Sequence, residues 1–292
     1  MDARSFSQQN NINWYPGHMT KAMREMEKSI KLVDLIIELL DARVPLASRN
    51  PDIDKLANGK YRMIILNKVD LADPAATSKW VEYFEGLGIK AVTLDSRKSG
   101  EAKKITNIVN EICKEKFERD KRKGLVQRPV KAMVAGIPNV GKSTFINSYA
   151  GKASAKTGNK PGVTKGLQWI NLGKNINLID TPGVLWPKFE SHDTGMRLAI
   201  IGSINDNILS KYDLAEYLIN YLINNYCGII SKRYNIEEMD VSKVLLGIAD
   251  SRKCLMKGGE PDTEKAAAIL IDDMRSGSLG RISLERLQEK EA

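Results

Sequence analysis

The sequence predicts an α/β fold with a mostly parallel sheet over residues 1–189, followed by a small all-helical domain over residues 190–292. In the first part, short apolar runs typical of buried strands alternate with helical segments, which indicates a parallel sheet covered on both faces. After about residue 190 no further strand-like run occurs, and the apolar residues within 214–222 recur at helical spacing. A length of 292 residues is ample for two domains.

Each predicted element depends on its own pattern of apolar residues. The strands are predicted where short, mostly apolar runs occur, at residues 35–40, 63–66, 90–94, 130–135 and 176–179. The helices are predicted where apolar residues recur every three or four positions, at residues 20–33, 77–85, 102–117, 144–149, 214–222 and 266–274. Asp262 and Thr263 precede the last of these and are candidates to cap it.

Composition excludes several classes of protein. The chain is 42% hydrophobic and 28% charged, as expected for a globular protein, and its longest apolar stretches are too short to cross a bilayer. The N-terminus lacks the apolar core of a secretory signal, and three widely spaced cysteines favour free thiols in a reducing compartment. We therefore expect a cytoplasmic protein with no integral membrane association. Its net charge of +9 suggests an acidic partner such as nucleic acid, although charge alone is weak support.

Residues 136–143 (GIPNVGKS) fit the phosphate-binding pattern G-x-x-x-x-G-K-[ST] and lie between a predicted strand and a predicted helix. In this loop, backbone N–H groups close around the β-phosphate, Lys142 reaches the β- and γ-phosphates, and the Ser143 hydroxyl ligates Mg²⁺. The motif therefore predicts a nucleoside triphosphate site with Mg²⁺. The candidate binding residues here are Asn139, Val140, Gly141, Lys142, Ser143 and Thr144.

Two further segments resemble parts that sense the γ-phosphate. Asp180 ends a predicted strand and opens a D-x-x-G turn, where its carboxylate can hold the Mg²⁺ shell and the Gly183 amide can face a γ-phosphate. Thr164 lies in a loop rich in glycine and lysine, and is the candidate for a second Mg²⁺ hydroxyl ligand. Ser143, Thr164 and Asp180 are thus the predicted metal ligands.

The sequence Asn67-Lys68-Val69-Asp70 follows a predicted strand and can select the base. A carboxylate at Asp70 can accept hydrogen bonds from N1–H and N2–H of guanine, a pair that adenine lacks, so it would favour GTP over ATP. Asn67 would brace neighbouring loops, and the stem of Lys68 would cover the base. Ser96 and Arg97 follow the next strand and form a candidate partner loop whose backbone N–H could contact guanine O6.

These are the elements of a GTPase in permuted order, since the guanine-reading pair precedes the phosphate and switch elements. Joining a domain's original termini and opening the chain elsewhere is tolerated when those termini lie close together. The chain resembles the circularly permuted GTPases, and within them the ribosome biogenesis GTPase A family. The motifs that carry this resemblance lie at residues 14–19, 41–45, 67–70, 136–144, 180–187 and 257–259 with Asp262.

The resemblance implies GTP or GDP as the bound nucleotide, Mg²⁺ as cofactor, and the large ribosomal subunit with its ribosomal RNA as partner, rather than DNA. It also implies a fold in which the permuted P-loop GTPase domain is followed by an RNA-binding helical domain. One departure concerns the guanine loop, where Arg97 and Lys98 are bulkier than the small residue that many GTPases use. This leaves the donor to guanine O6 open.

Many GTPases orient the attacking water with a glutamine just after D-x-x-G, but this chain has Val184 and Leu185 there. His18 is one candidate replacement, because the resembling family carries histidine at the matching position. The alternative is that His18 only caps or pins the first helix. Asn139 is the other candidate, because related GTPases with asparagine there often bind K⁺ beside the phosphates; alternatively it only stabilises its own loop. With Lys142, these two are the predicted catalytic residues.

Positive charge is concentrated in three places. Residues 114–131 carry eight basic and three acidic residues, and residues 152–174 carry five lysines and no acidic residue. The first run is more typical of a solvated face, whereas the second contains the predicted switch loop. Arg252, Lys253 and Lys257 form a third cluster in the helical part. Such clusters favour contact with RNA phosphates.

Taken together, the sequence predicts a GTP-hydrolysing assembly factor that binds the maturing large ribosomal subunit and is released on hydrolysis. The alternative is a GTP-sensing module that binds RNA or protein with negligible turnover. The missing switch glutamine favours this alternative, whereas His18 and Asn139 favour hydrolysis.

Overall fold

The computed structural model describes residues 17–98, 101–125, 128–150, 168–171, 176–181, 183, 185–186, 189, 191–204 and 209–287. For residues 17–22, 101–103, 168, 171 and 180 it describes the backbone but not the side chains. Across the described part of the chain, no helix has the length and apolar character needed to span a bilayer.

In the described part of the chain, one six-stranded sheet forms the centre of the fold, with strand order β3-β2-β1-β4-β6-β5. All neighbouring strands run parallel except β5, which pairs antiparallel with β6 at one edge. The strands are β1 (Leu35–Asp41), β2 (Tyr61–Asn67), β3 (Lys90–Leu94), β4 (Val130–Ala135), β5 (Gln168–Asn171) and β6 (Ile176–Asp180). The α/β class and the mostly parallel sheet predicted from the sequence are therefore confirmed.

Helices cover both faces of this sheet because its strands are apolar on both sides. The helices before the last strand are α1 (Gly17–Ile30), α2 (Asp52–Leu56), α3 (Pro74–Gly86), α4 (Glu101–Ile112), α5 (Lys114–Arg122) and α6 (Lys142–Ala150). In β1, Leu35, Ile37 and Leu39 join the cluster that contains the apolar residues of α4 and α6. Ile36 joins the cluster of α1, and Leu40 joins the cluster of α3.

The part of the chain after residue 190 is helical as predicted. Its helices are α7 (His192–Ile200), α8 (Lys211–Asn225), α9 (Ile229–Tyr234), α10 (Val241–Ser251) and α11 (Thr263–Ser276). Asp262 caps α11 by accepting a hydrogen bond from the Lys265 N–H at 2.9 Å. The buried apolar residues of these helices are continuous with the core of the sheet. That residues 190–292 form a domain of their own stays a prediction.

The structure differs from the sequence prediction in several elements. The helix predicted at 102–117 is two helices, because the chain turns at Cys113, whose buried side chain continues the apolar stripe of α4. Helix α1 begins at Gly17 and not at residue 20 as predicted, so His18 belongs to the helix; apolar periodicity does not mark a first turn. Strand β5, which has four residues and leaves Trp169 exposed, was not predicted from the sequence, and neither were helices α2, α7, α9 and α10.

After α11 the chain returns to the sheet as an irregular segment, residues 281–287, which we call the C-terminal strap. Ile282, Ser283, Leu284 and Glu285 are buried in it. The strap lies against the loop that follows β1, where the Leu284 N–H donates to the Arg43 carbonyl oxygen at 2.7 Å. It therefore connects the helical part of the chain to the carboxyl ends of the first two strands.

Candidate functional site

The phosphate-loop motif forms the turn between β4 and α6, as the sequence predicts. Two of its residues adopt positive φ, +58° at Asn139 and +99° at Gly141. A side chain at Gly141 would be strained and would also overlap the amide of Asn67. Ser143 and Thr144 follow, half-buried, in the first turn of α6, whose N-terminus favours bound anions.

Lys142 lies inside this loop. Its ammonium group is buried and donates to the carbonyl oxygens of Gly136 at 2.9 Å and Ile137 at 2.8 Å. Gly183 of the D-x-x-G turn approaches the same point, because a Cβ there would lie 2.8 Å from Lys142 Nζ and from Pro138 Cα. The structure thus brings Gly183 against the phosphate loop, in a position that only glycine can occupy.

Asn67 connects the predicted base-reading loop to the phosphate loop. Its amide nitrogen donates to the Val140 carbonyl oxygen at 2.9 Å. Its amide oxygen accepts from the Ser96 hydroxyl at 2.7 Å and from the Ser96 N–H at 3.2 Å. One buried side chain therefore fixes three loops, which follow β2, β3 and β4. This is the bracing role that the sequence predicts for Asn67.

Lys68 is held by a buried carboxylate that sequence reasoning assigned no role. Its Nζ lies 3.1 Å from Asp41 Oδ2, at the end of β1. Asp41 also accepts from Arg43, whose Nε and Nη2 lie 2.9 and 2.8 Å from the two carboxylate oxygens. Burial alone would raise the pKa of Asp41, but the charges of Arg43 and Lys68 lower it below its usual range. Desolvation lowers the pKa of Lys68, and the Asp41 charge opposes this shift.

Asp70 forms an ion pair with the guanidinium group of Arg97. Arg97 also donates to Asp95, from its backbone N–H at 3.1 Å and from Nε at 3.1 Å. The structure therefore brings Ser96 and Arg97 beside the base-reading loop, but their two N–H groups already donate to Asn67 and Asp95. A direct contact from either N–H to guanine O6 stays a prediction.

Of the four remaining candidates, Asn139, Thr164, His18 and Asp180, the structure describes the side-chain contacts of Asn139 alone. The Asn139 amide nitrogen donates to the Gly202 carbonyl oxygen at 2.7 Å, so this residue connects the phosphate loop to the end of α7. Thr164 and the side chains of His18 and Asp180 lie outside the described residues. Their roles stay predictions.

The contacts that were not predicted differ in how strongly the sequence indicates them. Asp41 and Arg43 belong to a motif that the resemblance singles out, but a pair of opposite charges two residues apart gives no sign of burial. The Arg97 contact could have been suspected, since its positive charge follows a strand that neighbours the Asp70 loop. No sequence pattern indicates the contacts of the C-terminal strap, because several of them are made to backbone atoms.

Replacing Asp41 by Asn should destabilise the chain by about 3 kcal/mol, because Arg43 and Lys68 would keep their charges beside a neutral amide. The matched control is Glu85→Gln, which removes an exposed carboxylate 2.8 Å from Lys90 and should cost at most about 1 kcal/mol. Denaturant unfolding of the two variants measures both values. Equal losses of stability would show that the Asp41 cluster is no more important than a surface pair.

Asn67 joins a phosphate loop to an N-K-x-D loop at the carboxyl ends of strands in a parallel sheet, and this arrangement defines a P-loop GTPase. The order of the two loops along the chain makes it a circularly permuted GTPase. A family model described as "50S ribosome-binding GTPase" matches residues 131–250. The ribosome biogenesis GTPase A of Bacillus cereus is 43% identical over 280 residues, which cover 95% of each chain. The chain belongs to the ribosome biogenesis GTPase A family.

Two further comparisons agree with this assignment. The mitochondrial ribosome-associated GTPase 1 of Mus musculus is 34% identical over 301 residues, covering 94% of this chain and 90% of the mouse protein. The crystal structure of GNP-bound YlqF from Thermotoga maritima superposes with a TM-score of 0.64 at 28% identity, over 91% of this chain and 98% of that one. The predicted GTPase fold is thus confirmed.

Proposed function

We propose that this chain is a GTP-hydrolysing assembly factor that binds the maturing large ribosomal subunit with GTP and is released after hydrolysis. The observation that carries the proposal is the side chain of Asn67, which joins the guanine loop (residues 67–70) to the phosphate loop. The relatives' names, ribosome biogenesis GTPase A and mitochondrial ribosome-associated GTPase 1, support a ribosomal subunit as the partner. We also propose that the protein acts in the cytoplasm.

Guanine selection would depend on Asp70. Its carboxylate can accept two hydrogen bonds from guanine, and its present partner, Arg97, is two-thirds exposed and can be released to solvent. Lys68 is anchored at its tip by Asp41, so its aliphatic stem is available to cover the base. Asn67 keeps both loops at a fixed separation from the phosphate loop.

The phosphates and Mg²⁺ would occupy the loop between β4 and α6. Members of the family bind GTP or GDP, usually with Mg²⁺, and this cation stabilises the charge on the phosphates. The proposed ligands are the oxygen atoms of Ser143, Thr164 and Asp180, which are hard donors suited to Mg²⁺. Phosphate oxygens would replace the carbonyl oxygens that now accept from Lys142. The close approach of Gly183 to this ammonium supports a γ-phosphate sensor there.

The attacking water needs a polar partner near the γ-phosphate. Leu185, just after the D-x-x-G turn, is buried and apolar, so it cannot orient the water. We therefore propose His18 as the orienting group and Asn139 as a K⁺ ligand. The hydrogen bond from the Asn139 side-chain amide to the Gly202 carbonyl oxygen supports the role as a K⁺ ligand in one respect: it fixes the plane of that amide.

Ribosomal RNA would contact exposed basic residues. In α5, Lys114, Arg119 and Lys121 are exposed, whereas Lys116 is buried and pairs with Asp120 at 2.8 Å. Lys116 therefore contributes to the core and is withdrawn from the predicted RNA-binding set. Lys253 and Lys257, in the connection between α10 and α11, are also exposed and stay in this set.

GTP turnover measured with and without large ribosomal subunits, in K⁺ and in Na⁺, tests the proposed function. We expect subunits to accelerate hydrolysis, and K⁺ to support a faster rate than Na⁺ if Asn139 holds the cation. GTP binding with no turnover under any of these conditions would instead favour the GTP-sensing module. Faster turnover with small subunits alone would contradict the assignment of the large subunit.

Asp70→Asn should weaken GTP binding by about 10- to 100-fold, because the amide cannot accept both guanine N–H groups. The same change should improve binding of xanthosine triphosphate, whose carbonyl can accept from the new amide. Titration with labelled nucleotides measures both affinities. Asp193→Asn, at an exposed position in α7, is the control and should leave both affinities unchanged. Unchanged GTP affinity in the Asp70 variant would rule out this guanine-reading loop.

A further inference from the structure

The guanine loop is held from outside by the C-terminal strap. Arg281 donates from Nη2 to the Val69 carbonyl oxygen at 2.7 Å and from Nε to the Ala72 carbonyl oxygen at 2.9 Å. The N–H of Ile282 donates to the Leu71 carbonyl oxygen at 2.9 Å. The strap therefore binds backbone atoms on both sides of Asp70, the residue proposed to read the base.

This loop needs such support. Lys68 has φ of +60°, a conformation that is unfavourable for a residue with a side chain and is kept only when its surroundings impose it. The hydrogen bond from the Leu71 N–H to the Lys68 carbonyl oxygen closes the turn on one side. The Arg281 guanidinium closes the other side, because its planar fork reaches two carbonyl oxygens at once.

The strap is itself fixed by both parts of the chain. The buried Glu285 carboxylate accepts from the N–H groups of Leu46 at 2.7 Å and Ala47 at 2.9 Å, and from Arg197 of α7 at 3.2 Å. The Ser283 N–H donates to the hydroxyl of Tyr226, which follows α8, at 2.9 Å. Arg281 is thus attached to a rigid support and can transmit its position to the loop.

We propose that Arg281 is a positioning residue for guanine selection, which holds the backbone around Asp70 so that the carboxylate faces N1–H and N2–H of the base. This inference rests on the proposed guanine-reading role of Asp70. It makes guanine affinity dependent on the helical part of the chain, which supplies the strap.

The test compares binding of GTP and ITP, since inosine lacks the 2-amino group that Asp70 would bind. Arg281→Ala should weaken GTP binding roughly tenfold, a typical coupling between neighbouring sites, and weaken ITP binding less. The preference for GTP over ITP should therefore narrow. Arg281→Lys keeps the charge but loses the fork, so it should give an intermediate preference.

Arg286→Ala is the matched control, because Arg286 lies on the same strap and pairs with Asp73 at 2.7 Å without contacting the guanine loop. It should lower the melting temperature and leave the GTP-to-ITP preference unchanged. Equal weakening of both nucleotides in Arg281→Ala would overturn the proposal, and if this variant does not fold, an unaltered preference in Arg281→Lys would do so.

Asp70→Asn, measured in the same assay, separates the guanine-reading role of Asp70 from the positioning role of Arg281. If this variant keeps the wild-type preference for GTP over ITP, the guanine-reading assignment itself fails. If it loses the preference while Arg281→Ala keeps it, only the positioning role of Arg281 fails.

Discussion

His18→Ala should slow GTP hydrolysis by about 10²–10⁴-fold, the usual contribution of a group that orients or polarises the attacking water. GTP affinity should change little, because this contact forms only in the transition state. Single-turnover hydrolysis on large subunits is the appropriate measurement, since an N-terminal segment can need its RNA partner to reach the nucleotide. Labelled-nucleotide titration supplies the affinity.

His192→Ala is the control for this experiment, because His192 is the second of the two histidines and begins α7. It should leave the rate unchanged. If His18 only pins α1, His18→Ala should lower the melting temperature by a few degrees and leave the rate near that of the wild type. That outcome would leave Asn139 with K⁺ as the better candidate.

Lys142→Ala and Ser143→Ala should each reduce GTP binding or hydrolysis by about 10²–10³-fold, the range found when one preorganised contact to a charged transition state is removed. Lys142→Ala also removes two hydrogen bonds within the phosphate loop, so its melting temperature should fall by a few degrees. Ser143→Ala removes only a hydroxyl from a half-buried position and should keep the wild-type melting temperature.

Ser148→Ala, in the same helix α6, is the matched control for Ser143 and should bind and hydrolyse GTP normally. Nucleotide titration and turnover at several Mg²⁺ concentrations would separate the two site variants, because only the Ser143 change should raise the Mg²⁺ requirement. Wild-type rates in both site variants would show that residues 136–143 do not bind the phosphates.

The sequence predicted where the loops of this candidate site lie in the fold, because these loops depend on local motifs. A phosphate loop between a strand and a helix, and an N-K-x-D loop after another strand, can be recognised because each chemistry requires particular residues at fixed spacing. The bracing role of Asn67 followed from that motif and is confirmed by its bonds to Val140 and Ser96. The order of the motifs was also sufficient to predict the permutation.

Contacts between distant residues could not be predicted in this way. The ion pair of the buried Asp41 with the half-buried Lys68 depends on the register of β1 against β2, which the sequence does not specify. Arg281 binds carbonyl oxygens, and every residue has one, so no pattern in the partner identifies the contact. The division of α4 from α5 was missed because apolar spacing continues through Cys113.

The distance along the chain between Arg281 and the loop it supports has a consequence for protein synthesis. Arg281 lies 212 residues after Val69, so at 5–20 residues per second a ribosome adds it roughly 10 to 40 seconds later. During that interval the nascent chain already contains the whole N-K-x-D turn, but without its outer support. Newly made chains should therefore acquire tight nucleotide binding late, after the strap has docked, and incomplete translation products should compete poorly for cellular GTP.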